Sequence, residues 1–89
     1  MQLDATTTVN VLARLRRIQG QVGGIIRMVE SDRQCREVVQ QISAAGRALD
    51  QTGLKILAYG LRRCLQDEQA AEQAGYSQAE LEELFLQLR

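Results

Sequence analysis

The chain has 89 residues with no histidine, no proline, two cysteines and three aromatic residues, and its 11 basic and 11 acidic side chains cancel. One domain over residues 1–89 is the ceiling for that length, and a composition rich in Ala, Leu, Gln, Glu and Arg favours helix over sheet. No apolar run approaches the ~20 residues that cross a bilayer, and the N-terminus lacks a signal-peptide layout, so a cytoplasmic protein without membrane contact is expected.

Neutrality conceals a split. Residues 1–64 carry ten Lys/Arg against five Asp/Glu, and residues 65–89 carry one against six. By itself that split describes two solvated surfaces, although a basic body with an acidic tail also permits a nucleic-acid footprint.

The first predicted helix spans about residues 8–30. Val11, Leu15, Ile18, Val22, Ile25 and Val29 step by four and three, with Leu12 and Ile26 widening the stripe. Thr6, Thr7 and Thr8 are candidate N-caps, and Gly20, Gly23 and Gly24 predict close backbone packing against a neighbour. The second helix spans about residues 32–64. Ser31 with Gln34 fits a capping box, and Val38, Ile42, Ala45, Leu49, Ile56 and Tyr59 hold the apolar phase as far as Cys64. Gly46 and Gly53 are the two positions where a turn competes with the helix.

An acidic, alanine-rich connector over residues 66–76 leads to a third helix of about residues 77–88. Ser77 and Glu80 form a second capping box there, with Tyr76 and Leu81 spaced as a hydrophobic staple. The expected fold is all-α, a three-helix protomer whose long central helix invites pairing with another chain. A chain this short buries a modest share of its surface, so oligomerisation would help it.

Cys35 and Cys64 stand at the two ends of the central helix. Their 29-position spacing corresponds to roughly 43 Å along a helix, against the about 7 Å within which a disulfide forms. The same spacing is close to eight full turns, so both thiols lie on nearly the same side of the rod. An antiparallel second copy would set Cys35 of one chain against Cys64 of the other, twice over by two-fold symmetry. Cys35, at the positive end of the helix dipole near Arg33 and Arg36, is the expected attacking thiol. Cys64, at the negative end beside Arg62 and Arg63, is the expected resolving one. Free cysteine is also a common small buried hydrophobe, and spacing alone weights the two roles evenly.

The stretches RLRRIQGQVGGIIRMVESDRQC (14–35), QQISAA (40–45), LRRC (61–64) and LEEL (81–84) resemble the copper-sensing operon repressor (CsoR) family over about residues 9–88. The resemblance implies an antiparallel helical dimer that assembles into a dimer of dimers and represses a promoter. It implies an inducer taken between subunits by cysteines of opposite protomers. It also implies operator DNA on the basic surface of the first two helices, which carries over Arg14, Arg16, Arg17 and Arg47. By spacing alone these arginines read as a solvated face, and no helix-turn-helix or zinc-finger pattern is present. Fourfold repetition of a basic body suits phosphate-dominated, salt-sensitive binding.

Two departures refine the expectation. Copper sensors of the family carry a histidine four residues before the second cysteine, where Gly60 stands, and usually a tyrosine before the first, where Gln34 stands. Two thiolates still hold Cu(I) linearly, whereas Zn(II) wants four ligands. The chain is similar in these respects to the persulfide-responsive CstR branch, in which reactive sulfur species join the cysteines across protomers. Keeping a nucleophile–resolver pair while losing a ligand suits thiol exchange. Glu83, which matches a glutamate supporting the copper site in the copper-sensing branch of the family, reads as helix surface here.

The sequence thus predicts a DNA-binding repressor that senses persulfide through Cys35 and Cys64 and needs no cofactor. A Cu(I) sensor using the same two thiolates is the alternative, followed by a structural helical oligomer. No CxxC motif, catalytic histidine or phosphate-cradling loop points to an enzyme.

Overall fold

In the computed structural model, which describes residues 2–88, four α-helices follow one another: α1 (Ala5–Glu30), α2 (Cys35–Gln66), α3 (Glu68–Gln73) and α4 (Gln78–Gln87). Asp4 starts the first. Its carboxylate accepts the Thr7 N–H at 2.7 Å, pairing one of the donors that a helix start leaves free. That bond holds the Asp4 carboxyl below its usual 3.8. α1 therefore begins three residues earlier than predicted, and none of the threonines is its cap.

The predicted Ser31–Gln34 capping box does not form. Ser31 ends α1, its Oγ donating to the Arg27 carbonyl at 2.8 Å. The Arg33 N–H then donates to the Met28 carbonyl at 3.0 Å and the Asp32 N–H to the Val29 carbonyl at 3.2 Å. This is a Schellman turn. Asp32 occupies its left-handed position, at φ 59°, where glycine is the usual tenant. The turn delays α2 to Cys35, and Gln34 caps it without a side-chain bond.

α2 runs 32 residues without interruption, through both Gly46 and Gly53. At about 1.5 Å per residue it accounts for most of the molecule's 55 Å longest dimension. α1 packs antiparallel along it through Val11 and Ile18 on one side and Ala45, Thr52 and Tyr59 on the other, all buried. Each set repeats every seven residues, the spacing of a coiled-coil seam. Thr52 Oγ1 donates to the Ala48 carbonyl at 2.8 Å, so its hydroxyl is satisfied inside the seam.

The connector contains a helix that the sequence did not announce, and the expected three helices become four. Asp67 is extended (φ −159°, ψ 99°) and breaks the run after α2, and its carboxylate accepts the Ala70 N–H at 3.1 Å to start α3. Six residues are too few to display a helical period. A second Schellman turn ends α3: Tyr76 N–H to the Ala71 carbonyl at 2.8 Å, Gly75 N–H to Glu72 at 3.0 Å, and Gly75 at φ 85°. Ser77 Oγ then accepts the Glu80 N–H at 3.4 Å and starts α4 as predicted.

Tyr76 and Leu81 come together as the staple requires, and with Tyr59, Cys64 and Ala71 they make one buried cluster. The Tyr59 and Tyr76 rings meet edge to face at 5.9 Å. α4 lies antiparallel on α2 over two glycines seven residues apart. A Cβ at Gly53 would come within 3.0 Å of Leu88, and one at Gly60 within 2.7 Å of Leu81. These two glycines permit the close approach. Gly20 and Gly46 meet nothing within 4 Å, and Gly23 and Gly24 face only Arg27 of their own helix. The tight packing expected of the α1 glycines is therefore absent within the protomer.

Much of the predicted apolar stripe stays open. Leu12, Val22, Ile26 and Val29 on α1, and Ile42 and Leu49 on α2, are exposed, as is Val39 outside the predicted stripe, Val29 and Val39 at 61%. The accessible surface is 6716 Å², whereas a compact monomer of this mass presents about 5,200 Å².

The two Schellman turns yield opposite expectations. Gly75→Ala should lower the unfolding free energy by about 1–2 kcal/mol, the cost of a side chain in the left-handed region. Asp32→Gly should raise it by up to about 1 kcal/mol, and urea melts read both. Tyr76 gives a third. Burial, reinforced by the hydrogen bond and charge of Tyr59, pushes its phenol up from 10.0 to about 12 against the pull of Arg63. A proton held more tightly in the folded state stabilises fully below the unfolded pKa, and that contribution disappears as pH rises through the folded one. Stability should therefore fall between pH 10 and about 12, and Tyr76→Phe should flatten the fall in alkaline circular-dichroism melts.

Candidate functional site

One unbroken helix carries both cysteines, Cys35 as its first residue and Cys64 two residues before its end. Helix geometry holds them roughly 43 Å apart, and both are free thiols. Their surroundings differ. Cys35 is exposed in the first turn of α2. Of the arginines near it, Arg33 is engaged with Glu37 at 3.0 Å, while Arg36 stands exposed. Cys64 is only 5% exposed, enclosed with Tyr59, Ala71, Tyr76 and Leu81. The sequence placed both thiols on one open side of the rod. The structure covers one of them with α3 and α4.

Gly60, one turn before Cys64, faces Leu81 Cδ2 and Tyr76 Cδ1, which would lie 2.7 and 3.4 Å from a Cβ built there. A larger side chain at that position would require Leu81 to shift from where it lies. Among the described residues no three His, Cys, Asp or Glu side chains gather as a metal site. The described residues of one protomer therefore offer no four-ligand set of the kind Zn(II) takes. Two soft sulfurs supplied by two chains form a donor set that suits Cu(I).

The second feature is electrostatic. Arg14 and Arg17 of α1 meet Lys55 and Arg62 of α2 along a groove of about 500 Å³, with Thr7 and Asn10 beside them and no acidic side chain in its wall. The antiparallel α1–α2 pairing creates it, because residues 7–17 of one helix run against 55–62 of the other. Of the four arginines named from sequence, Arg14 and Arg17 enter this groove. Arg16 is exposed outside it. Arg47 is exposed two turns before Lys55, its guanidinium donating to Ser43 Oγ at 3.1 Å. Sequence reasoning missed Lys55 and Arg62. They share a helical face with Arg47 and Ala58 by steps of three and four, a signal that gains weight only when the facing residues of α1 are known.

The sequence profile described as "Metal-sensitive transcriptional repressor" matches residues 7–88. The copper-sensing transcriptional repressor RicR of Mycobacterium tuberculosis is 46% identical over 56 residues, covering 63% of this chain and 58% of its own length. The copper-sensing transcriptional repressor CsoR of Mycobacterium bovis is 38% identical over 74 residues, covering 83% and 60%. The CsoR of Bacillus subtilis is 44% identical over 54 residues, covering 61% and 54%. The chain spans less than two thirds of the length of these curated relatives. No solved structure matches it.

These relatives are repressors and not enzymes, in line with the sequence reading. Their names also correct that reading. The family is metal-sensitive and the relatives are copper-sensing, which overturns the expectation of a cofactor-free protein, and the persulfide branch finds no support in them. The expectation leaned on the missing histidine, and two thiolates are by themselves a sufficient soft donor set. With the profile match running over nearly the whole chain, this protein belongs to the metal-sensitive transcriptional repressor family.

Proposed function

We propose that this chain is a DNA-binding transcriptional repressor whose inducer is Cu(I), held by the Cys35 thiolate of one protomer and the Cys64 thiolate of an antiparallel partner. The observation that carries this reading is the pair of thiols at the two ends of an uninterrupted 32-residue helix. A single chain has no means of joining them, and a two-fold partner does. The open apolar stripe on α1 and α2, with Val29 and Val39 at 61% exposure, supports pairing of copies, as a dimer and then a dimer of dimers. The copper-sensing names of the relatives support the choice of ion.

The groove of Arg14, Arg17, Lys55 and Arg62 supports operator contact through phosphates. Arg16 and Arg47 add exposed charge around it. Nothing in this mode reads bases, so affinity should track salt steeply. For the ion to act as inducer it must bind one quaternary arrangement better than the other, and the arrangement it favours must hold DNA less tightly.

A second reading keeps the thiols and changes the inducer. It is favoured by the absence of histidine and by Leu81 filling the space over Gly60. Attack of the Cys35 thiolate on a terminal sulfur of a polysulfide would break its outer S–S bond, leave that sulfur on Cys35 as a persulfide and release the shortened polysulfide. Attack by the partner's Cys64 on that persulfide would form the inter-protomer disulfide and release hydrosulfide.

An anaerobic Cu(I) titration against a competing chelator, read with operator anisotropy, separates the two. Stoichiometric Cu(I) binding that releases DNA, lost in Cys35→Ser and in Cys64→Ser with DNA binding retained, is the expected outcome. Release by polysulfide alone, with cross-linked dimers in the intact mass, would replace copper by sulfur. Lys55→Ala and Arg62→Ala are each expected to weaken DNA binding and to reduce the log–log salt slope by about 1, measured by anisotropy at four salt concentrations.

A further inference from the structure

A thiol that is to bind an ion, or join another chain's sulfur, needs an open approach, and Cys64 has almost none at 5% exposure. Its cover is the α3–α4 arm, which contributes Ala71, Tyr76 and Leu81 to the cluster around it. The arm is keyed to α2 at Gly60. A methyl group there would lie 2.7 Å from Leu81 Cδ2, well inside the about 3.5–4.0 Å at which carbons rest against each other, so Leu81 in its present place rests on bare backbone and would have to move for any larger residue. Two further contacts hold it down. The Tyr76 hydroxyl donates to the Gln2 carbonyl, and the Arg63 guanidinium lies 5.6 Å from the centre of the Tyr76 ring. The arm joins α2 through Asp67 alone, a single extended residue between two helices. Element-terminal residues of this kind are where hinge motions concentrate.

We propose that the α3–α4 arm is a hinged cover over Cys64, seated on Gly60 and latched by Tyr76, which lifts about Asp67 before that thiol takes up any ligand. Gly60, Tyr76 and Leu81 are then positioning residues that set access to the site without touching the inducer. The proposal rests on Cys64 being a sensing thiol. It has its own readout, because alkylation involves neither copper nor DNA, and either idea can fail while the other stands.

Iodoacetamide is the probe: sulfur attacks its methylene carbon, iodide leaves and the thiol proton goes to buffer. Labelling is followed by intact mass on Cys35→Ser protein, which keeps only Cys64, and on Cys64→Ser protein, which keeps only Cys35. The native Cys64 rate is expected to be at least tenfold below that of Cys35, and the two should converge in denaturing urea. Gly60→Ala should push Leu81 off its seat and speed Cys64 labelling at least fivefold. Tyr76→Phe, a milder change that keeps the ring, should speed Cys64 two- to fivefold with Cys35 unaltered. It carries the test if Gly60→Ala loses its helical circular dichroism. Equal native rates for the two thiols would overturn the proposal. So would a Cys64 rate that neither Gly60→Ala nor Tyr76→Phe moves, or parallel acceleration of Cys35, which would report general loosening.

Discussion

The backbone hydrogen-bond ladder of α2 keeps Cys35 and Cys64 at opposite ends of one rigid rod, and most other features of the molecule follow from that separation. A 32-residue helix has no intrinsic reason to stay straight through Gly46 and Gly53, since each glycine costs about 1 kcal/mol relative to alanine. Tertiary contacts compensate, as they do for most helices in proteins. Ala45, Thr52 and Tyr59 are clamped by α1, and Gly53 and Gly60 are roofed by Leu88 and Leu81. A break at either glycine would let the thiols of one chain approach each other, and the inter-protomer pairing proposed above would lose its geometric basis.

The surface of α2 is divided accordingly. One face is a seven-residue seam for α1. A neighbouring face is a glycine track on which α4 lies at close range. A third carries Lys55 and Arg62 into the groove shared with Arg14 and Arg17. What remains, including Val39, Ile42 and Leu49, is apolar and uncovered within the protomer. Every helix–helix contact of the protomer is thereby made on α2, the helix that also carries both thiols.

Helix content, the long central element and the Ser77 cap were legible in the sequence because each is a local pattern: a 3.6-residue period or a side chain three residues from its acceptor. The failures have one physical origin. Ser31 offered equally good local chemistry as the cap of α2 or the end of α1, and the backbone turn through Asp32 decided between them. Gly60 looked like an absent ligand, whereas the structure gives it a packing role against Leu81 and Tyr76, residues 21 and 16 positions away. The burial of Cys64, and the union of Lys55 and Arg62 with Arg14 and Arg17, are likewise products of helix pairing. No window of one helix contains them.

The arm that covers Cys64 also holds six of the chain's 11 acids. Asp67, Glu68, Glu72, Glu80, Glu82 and Glu83 all lie beyond α2, while the cations of the groove lie before that point. Any swing of α3 and α4 is therefore a transport of negative charge relative to a bound polyanion, as well as a change of shape. Such a field reaches about 8 Å at physiological ionic strength, farther than a packing contact. Communication between thiol and DNA by this route would need no chain of touching side chains, and would fade as electrolyte is added.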